Sequence, residues 1–154
     1  METASYELWF GVRYMHVVSI ALLTGGASLV CACCAAPAAR RASLVAIATG
    51  YEWLFWSVIG VTVATGVSNL GLKGDGLLGS ETGWGAALSI KLAAVLLSLA
   101  LSVVRSDFVI RARVVDGLGA TTRGRVVLGV LYGLTLALLL GALWIGLGLA
   151  HGRY

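Results

Sequence analysis

The sequence predicts an all-α integral membrane protein: a four-helix bundle forming a single transmembrane domain over residues 1–154, with both termini on the outer side. Three observations predict it. Apolar runs cover about residues 8–35, 44–70, 84–104 and 126–150, and each can cross a hydrocarbon core that needs about 20 helical residues. Only 12% of the chain is charged while 59% is hydrophobic, against about 25% charged in a soluble domain. The arginines also cluster between particular runs. In lipid every backbone N–H and C=O must be satisfied within the protein, so long unbroken apolar runs read as helices. They are too long and too uniform for the alternating strands of a membrane barrel.

The first helix is expected from about Leu8 to Cys34. METASYELWF carries Glu2 and Glu7 and lacks a basic n-region, so the helix reads as a retained span rather than a cleaved signal. Pro37 ends it. The short stretch AAPAARRA makes the second helix, Ser43 to Leu70, an antiparallel neighbour of the first. GLKGDGLLGSETG reads as an external hairpin. A third helix starts near Trp84 and is expected to continue past Arg105 as an amphipathic tail, RSDFVIRARVVDGLG, lying at the cytoplasmic interface. The fourth runs from about Arg125 to the region of Gly152. Arg40, Arg41, Arg105, Arg111, Arg113, Arg123 and Arg125 fall on one side of this topology. The positive-inside rule makes that side cytoplasmic. Basic loops at a membrane face account for the net charge of +4, and no nucleic-acid partner is expected. Tyr6, Trp9, Trp84 and Tyr154 mark the outer interface. Gly129 with Gly133 and Ala142 with Gly146 read as packing seams of small residues.

Ionisable residues inside spans are costly and mark sites. His16, eight residues in from Leu8, and Lys91, eight in from Gly83, each lie about 12 Å deep from the outer face. Arg13 lies one turn above His16, and Ser19 near that face one turn below. Lys91, Ser98, Ser102 and Arg105 make one stripe on the third helix. Thr62, Thr65 and Asn69 make a weaker one on the second. A polar pocket in the outer half is expected, lined by Arg13, His16, Lys91 and Asn69. His16 is suited to ligate a metal or haem iron, to relay protons or to bond a neighbouring helix. His151, at the outer end of the fourth helix, offers a sixth ligand, a propionate partner or a plain interfacial residue. Two histidines allow at most one bis-histidine haem. Glu52, in GYEWLFW, has three readings: pairing with Arg105 or a loop arginine, staying protonated, or belonging to a proton or quinone site. Cys31, Cys33 and Cys34 could supply soft metal ligands but read first as small apolar residues at the cytoplasmic interface. A disulfide is not expected there. No hydrolase triad, phosphate loop or zinc-spaced cluster is present.

LWFGVRYMHVVSIALLTGG resembles the first helix of copper-resistance D (CopD-like) membrane domains. It is also similar to the HemJ-type protoporphyrinogen oxidases and to the membrane domain of bacterial urate oxidases. The shared features are an aromatic start, a basic residue, a histidine three later and a Gly-Gly pair beyond. TGVSN, Thr65 to Asn69, resembles the end of the second CopD helix. GWGAALSIKLAAVLLSLAL resembles the family helix carrying a Lys-Leu pair. The likeness covers about residues 8–105. It implies a four-helix core with a histidine on the first helix and a lysine on the third near one site; a chain of this kind is expected in the bacterial inner membrane. His16 would be associated with b-type haem and Lys91 would lie near the same site. The CopD side of the resemblance implies copper import, with Met15, His16 and His151 as the outer-side ligands.

The resulting expectation is a b-haem-binding protein for electron transfer, acting as a small subunit of a redox complex or beside other membrane subunits or a quinone. His16 is the expected iron ligand, Arg13 and Lys91 orient propionates or hold the second axial position, and His151 is the alternative sixth ligand. Copper import and a cofactor-free structural subunit are the alternatives.

Overall fold

The computed structural model describes residues 2–36, 43–71, 82–114 and 121–151. The connections AAPAARRA and GLKGDGLLGSETG, the tail after His151 and the side chain of Asn69 lie outside them almost entirely. Four helices follow in chain order: α1, Glu2–Ala35; α2, Leu44–Gly71; α3, Gly83–Val114; and α4, Thr122–Ala150. All four are long and apolar enough to cross a membrane, the build of a multi-pass membrane protein.

Two of the helix starts are capped by threonine. The Thr121 side chain accepts from the Gly124 N–H at 2.9 Å, and the Thr82 hydroxyl accepts from the Gly85 N–H at 3.0 Å. Each satisfies one of the backbone donors a helix start leaves open. Within the spans, hydroxyls donate back to the carbonyl one turn earlier, as Thr24 does to Ile20, Ser98 to Ala94 and Ser102 to Ser98. In lipid this is how a short polar side chain avoids an unmade hydrogen bond.

The helices close into a ring. α1 packs on α2 and α4, α3 packs on α4, and α2 and α3 share the narrowest interface. Cross-helix contacts run in opposite senses along neighbours. On α1 and α2, Leu23 meets Tyr51 while His16 meets Thr62. On α3 and α4, Arg105 meets Thr135 while Lys91 meets Gly146. Both pairs are therefore antiparallel.

The core sits toward the connection end, where α1 and α3 finish and α2 and α4 begin. Leu23, Ala27, Val30, Leu44, Ala48, Tyr51, Phe55, Ile59, Val109, Leu128 and Tyr132 form it. Toward the opposite, terminal end, the α2 side chains from Val61 to Ser68 are half-buried or exposed. One close approach sets the α1–α2 contact. A Cβ on Gly26 would come within 2.5 Å of the Tyr51 ring, so the ring lies on the α1 backbone only because Gly26 has no side chain.

α3 continues past Arg105 as one helix to Val114, as the amphipathic tail anticipated. It differs in burial: Val109 and Ala112 in the tail are buried in the bundle. Arg105 is fully buried rather than interfacial. Its counter-charge lies on α2, in a part of the chain that hydropathy along α3 cannot register.

Candidate functional site

Polar side chains gather at two levels of the bundle. The first lies at the connection-end half and joins α2, α3 and α4. Arg105 Nε donates to Glu52 Oε1 at 2.6 Å and Arg105 Nη2 to Glu52 Oε2 at 3.2 Å. Arg105 Nη1 donates to Thr135 Oγ1 at 2.8 Å. The Tyr132 hydroxyl donates to Glu52 Oε1 at 2.6 Å, and the Ser106 hydroxyl to Oε2 at 2.6 Å. Trp56 Nε1 extends the network to Ser106 at 3.0 Å. The guanidinium also lies 4.9, 4.7 and 4.9 Å from the ring centroids of Tyr51, Phe55 and Tyr132.

This pair lies within the hydrocarbon depth and, with Arg105 fully buried, cannot extend to the interface. Arg105 is about 10 Å from the α3 midpoint at 1.5 Å per residue, within a hydrocarbon half-thickness of about 15 Å. Burying two charges there costs several kcal/mol per ion unless the geometry is good and the remaining donors and acceptors are filled. Here the carboxylate accepts four hydrogen bonds, and three aromatic faces surround the cation. The network is closed on itself and leaves no lone pair of Glu52 facing a ligand. Its chemistry is that of a clamp.

The second level lies toward the terminal end. His16 Nδ1 is 3.1 Å from the Thr62 carbonyl oxygen and 3.0 Å from Thr65 Oγ1. The carbonyl can only accept, and the Thr65 hydroxyl already donates to the Val61 carbonyl at 2.7 Å. Nδ1 must therefore carry the proton and donate to both. In the neutral ring that leaves Nε2 with a free lone pair. Gly66 makes room for the ring, since a Cβ there would lie 3.3 Å from Cε1. Lys91, half-buried on α3, lies within electrostatic range of this imidazole. Its Nζ occupies the space beside Gly146, 3.1 Å from where a Cβ would be. Among the described residues no hydrogen-bond acceptor or carboxylate is paired with that ammonium.

The other expected site residues stand apart from this pair. Arg13 is exposed, its guanidinium 5.1 Å from the Trp9 ring centroid. His151 is exposed at the end of α4 and donates from Nδ1 to its own helix at the Leu147 carbonyl, 2.8 Å away. No hydrogen bond joins it to His16, Lys91 or Arg13 among the described residues. Ser19, Ser98 and Ser102 are buried, so the α3 stripe does face the interior. Cys31, Cys33 and Cys34 are free thiols. No group of three or more histidine, cysteine or acidic side chains is arranged to hold a metal ion among the described residues.

Sequence reading offered Arg105 as one partner of Glu52 but missed Tyr132 and Thr135. Their spacing of three on α4 was the available signal: a tyrosine and a threonine on one face of a span made mostly of aliphatic residues and glycine.

Comparison of the chain with protein-family models, characterised proteins and solved structures yields no match.

Proposed function

We propose that the chain is a membrane-embedded, b-type haem-binding protein for electron transfer, acting as a small subunit of a redox complex in the bacterial inner membrane. The observation that carries this reading is the state of His16. Its Nδ1–H is held by a backbone carbonyl and a hydroxyl on α2, and Nε2 is free. Fixing one ring nitrogen by a second-shell acceptor is how proteins present the other to a metal. Lys91 adds an ammonium in electrostatic range, without an ion-pair partner among the described residues, in a half of the bundle outside the main apolar cluster. The chemistry of these two groups fits haem: His16 would hold the iron and Lys91 would pair with a propionate. Bound haem supplies one-electron exchange, with a potential set by axial ligation and burial. The protein's share is to fix the imidazole through Thr62 and Thr65, and to match the propionate charge with Lys91.

The proposed orientation puts both termini on the periplasmic side. Arg111, Arg113, Arg123 and Arg125 all lie at the connection end, and the positive-inside rule makes that end cytoplasmic.

The test is an absorption spectrum of the detergent-purified chain from haem-replete cells, oxidised and then reduced with dithionite. A Soret band with a b-type α band in the reduced form is expected, lost in His16→Ala. In Lys91→Gln the band should persist with weaker haem retention. A folded but colourless wild-type protein would overturn the reading. Copper bound near one equivalent in that protein would then favour copper import instead.

A further inference from the structure

Arg13 is left unused by both polar levels, and its surroundings suit a different ligand. At about 100° per residue, Phe10, Tyr14 and Val17 lie on one flank of Arg13 along α1. His16 lies about 60° to the other side. The three apolar residues and Arg13 line a shallow open groove with a volume of about 200 Å³. All four are exposed on the outside of the bundle. Among the described residues Arg13 forms no ion pair with a carboxylate.

Depth matters. The apolar span of α1 runs Tyr6–Ala35, 30 residues, or about 45 Å of helix against a hydrocarbon core of about 30 Å. With the span centred, Arg13 lies only about 4 Å below the hydrocarbon boundary. The side chain of a helical residue leans toward the N-terminus, which here is the interfacial direction. The Trp9 ring one turn nearer the interface holds the guanidinium there. The groove thus has a cation at headgroup level and apolar walls running down past Tyr14 to Val17.

We propose that this groove binds an anionic phospholipid, its phosphate paired with Arg13 and the start of an acyl chain lying against Tyr14 and Val17. A guanidinium matches a phosphate with two parallel hydrogen bonds. A net-negative headgroup leaves that charge uncompensated by a headgroup ammonium, which is what separates it from a zwitterionic lipid. The inference is independent of haem binding, since no residue is shared with His16 or Lys91.

Native mass spectrometry of the full chain, released from mixed micelles of phosphatidylglycerol and phosphatidylcholine, tests it. The wild type should retain one phosphatidylglycerol in preference to phosphatidylcholine. Arg13→Gln should lower that retention about tenfold. Val17→Trp, which fills the groove and keeps the charge, should lower it as well. Equal retention of the two lipids by the wild type, or unchanged retention in Arg13→Gln, overturns the proposal. So does displacement of the lipid by equimolar glycerol 3-phosphate, which would show a headgroup site without the groove. Both substitutions are on the exposed face, and unchanged helicity by circular dichroism keeps a negative result meaningful.

Discussion

Glu52 and Arg105 stabilise the bundle as a unit, not as separate charges. Glu52→Gln keeps the shape but leaves Arg105 buried without a counter-charge. Removing one partner of a buried pair costs about 3–5 kcal/mol, so a large loss of stability is expected on unfolding in detergent. Replacing both, as Glu52→Gln with Arg105→Met, removes the stranded charge and should recover a substantial part of the loss. A double variant as unstable as the sum of the singles would mean the two act independently. At the other level, Gly66→Ala brings a methyl within 3.3 Å of His16 Cε1. The ring is tied to α2 through Nδ1 and can give only by loosening those bonds. A shifted Soret maximum, with near-normal stability, is the expected result in the haem-loaded protein. The residue scale is also where sequence reading was least complete. His16, Lys91 and the serine stripe were visible because polar residues stand out in apolar runs. That His16 turns Nδ1 to α2 depends on a cross-helix distance that spacing along one helix does not encode.

At the scale of elements, helix number and approximate extent were legible because lipid leaves few alternatives. Twenty or more apolar residues in a row must satisfy their backbone internally. The continuation of α3 past Arg105 was legible, but the burial of its tail was not: a charge counts against burial until its partner on another helix is set in place. The contact between α1 and α2 turns on a single glycine. In Gly26→Ala the added methyl would meet the Tyr51 ring at 2.5 Å. That ring cannot swing away freely, since its hydroxyl donates to the Leu23 carbonyl at 3.0 Å and its face lies against Arg105. Overpacking of this kind costs about 1–3 kcal/mol. Gly25→Ala, with nothing within 4 Å of the added Cβ, should be nearly silent. Thermal melts of the two neighbours in one detergent make the comparison. Equal shifts would show that the glycine pair matters for backbone freedom rather than for the approach of Tyr51.

The whole molecule divides along its length. The connection end holds the apolar core and the closed Glu52–Arg105 clamp, while the terminal end holds His16 and Lys91 in a less filled bundle. The two ends thus differ in how their polar groups are held: Glu52 and Arg105 are buried, whereas His16 and Lys91 are half-buried. Which half faces the cytoplasm then fixes from which side the site is reached. The arginines at the α3–α4 connection predict that the clamp end is cytoplasmic and the His16 end periplasmic. The native Cys31, Cys33 and Cys34 would obscure a thiol-labelling test, so a background with all three changed to alanine is required. In it, Tyr6→Cys reports the terminal end and Ser43→Cys the connection end, both at exposed positions. A membrane-impermeant maleimide added to spheroplasts should label Tyr6→Cys at once and Ser43→Cys only after the membrane is opened. The reverse pattern would place His16 on the cytoplasmic side. The charge rule would then fail for this chain, and an electron donor for the site would have to be sought inside the cell.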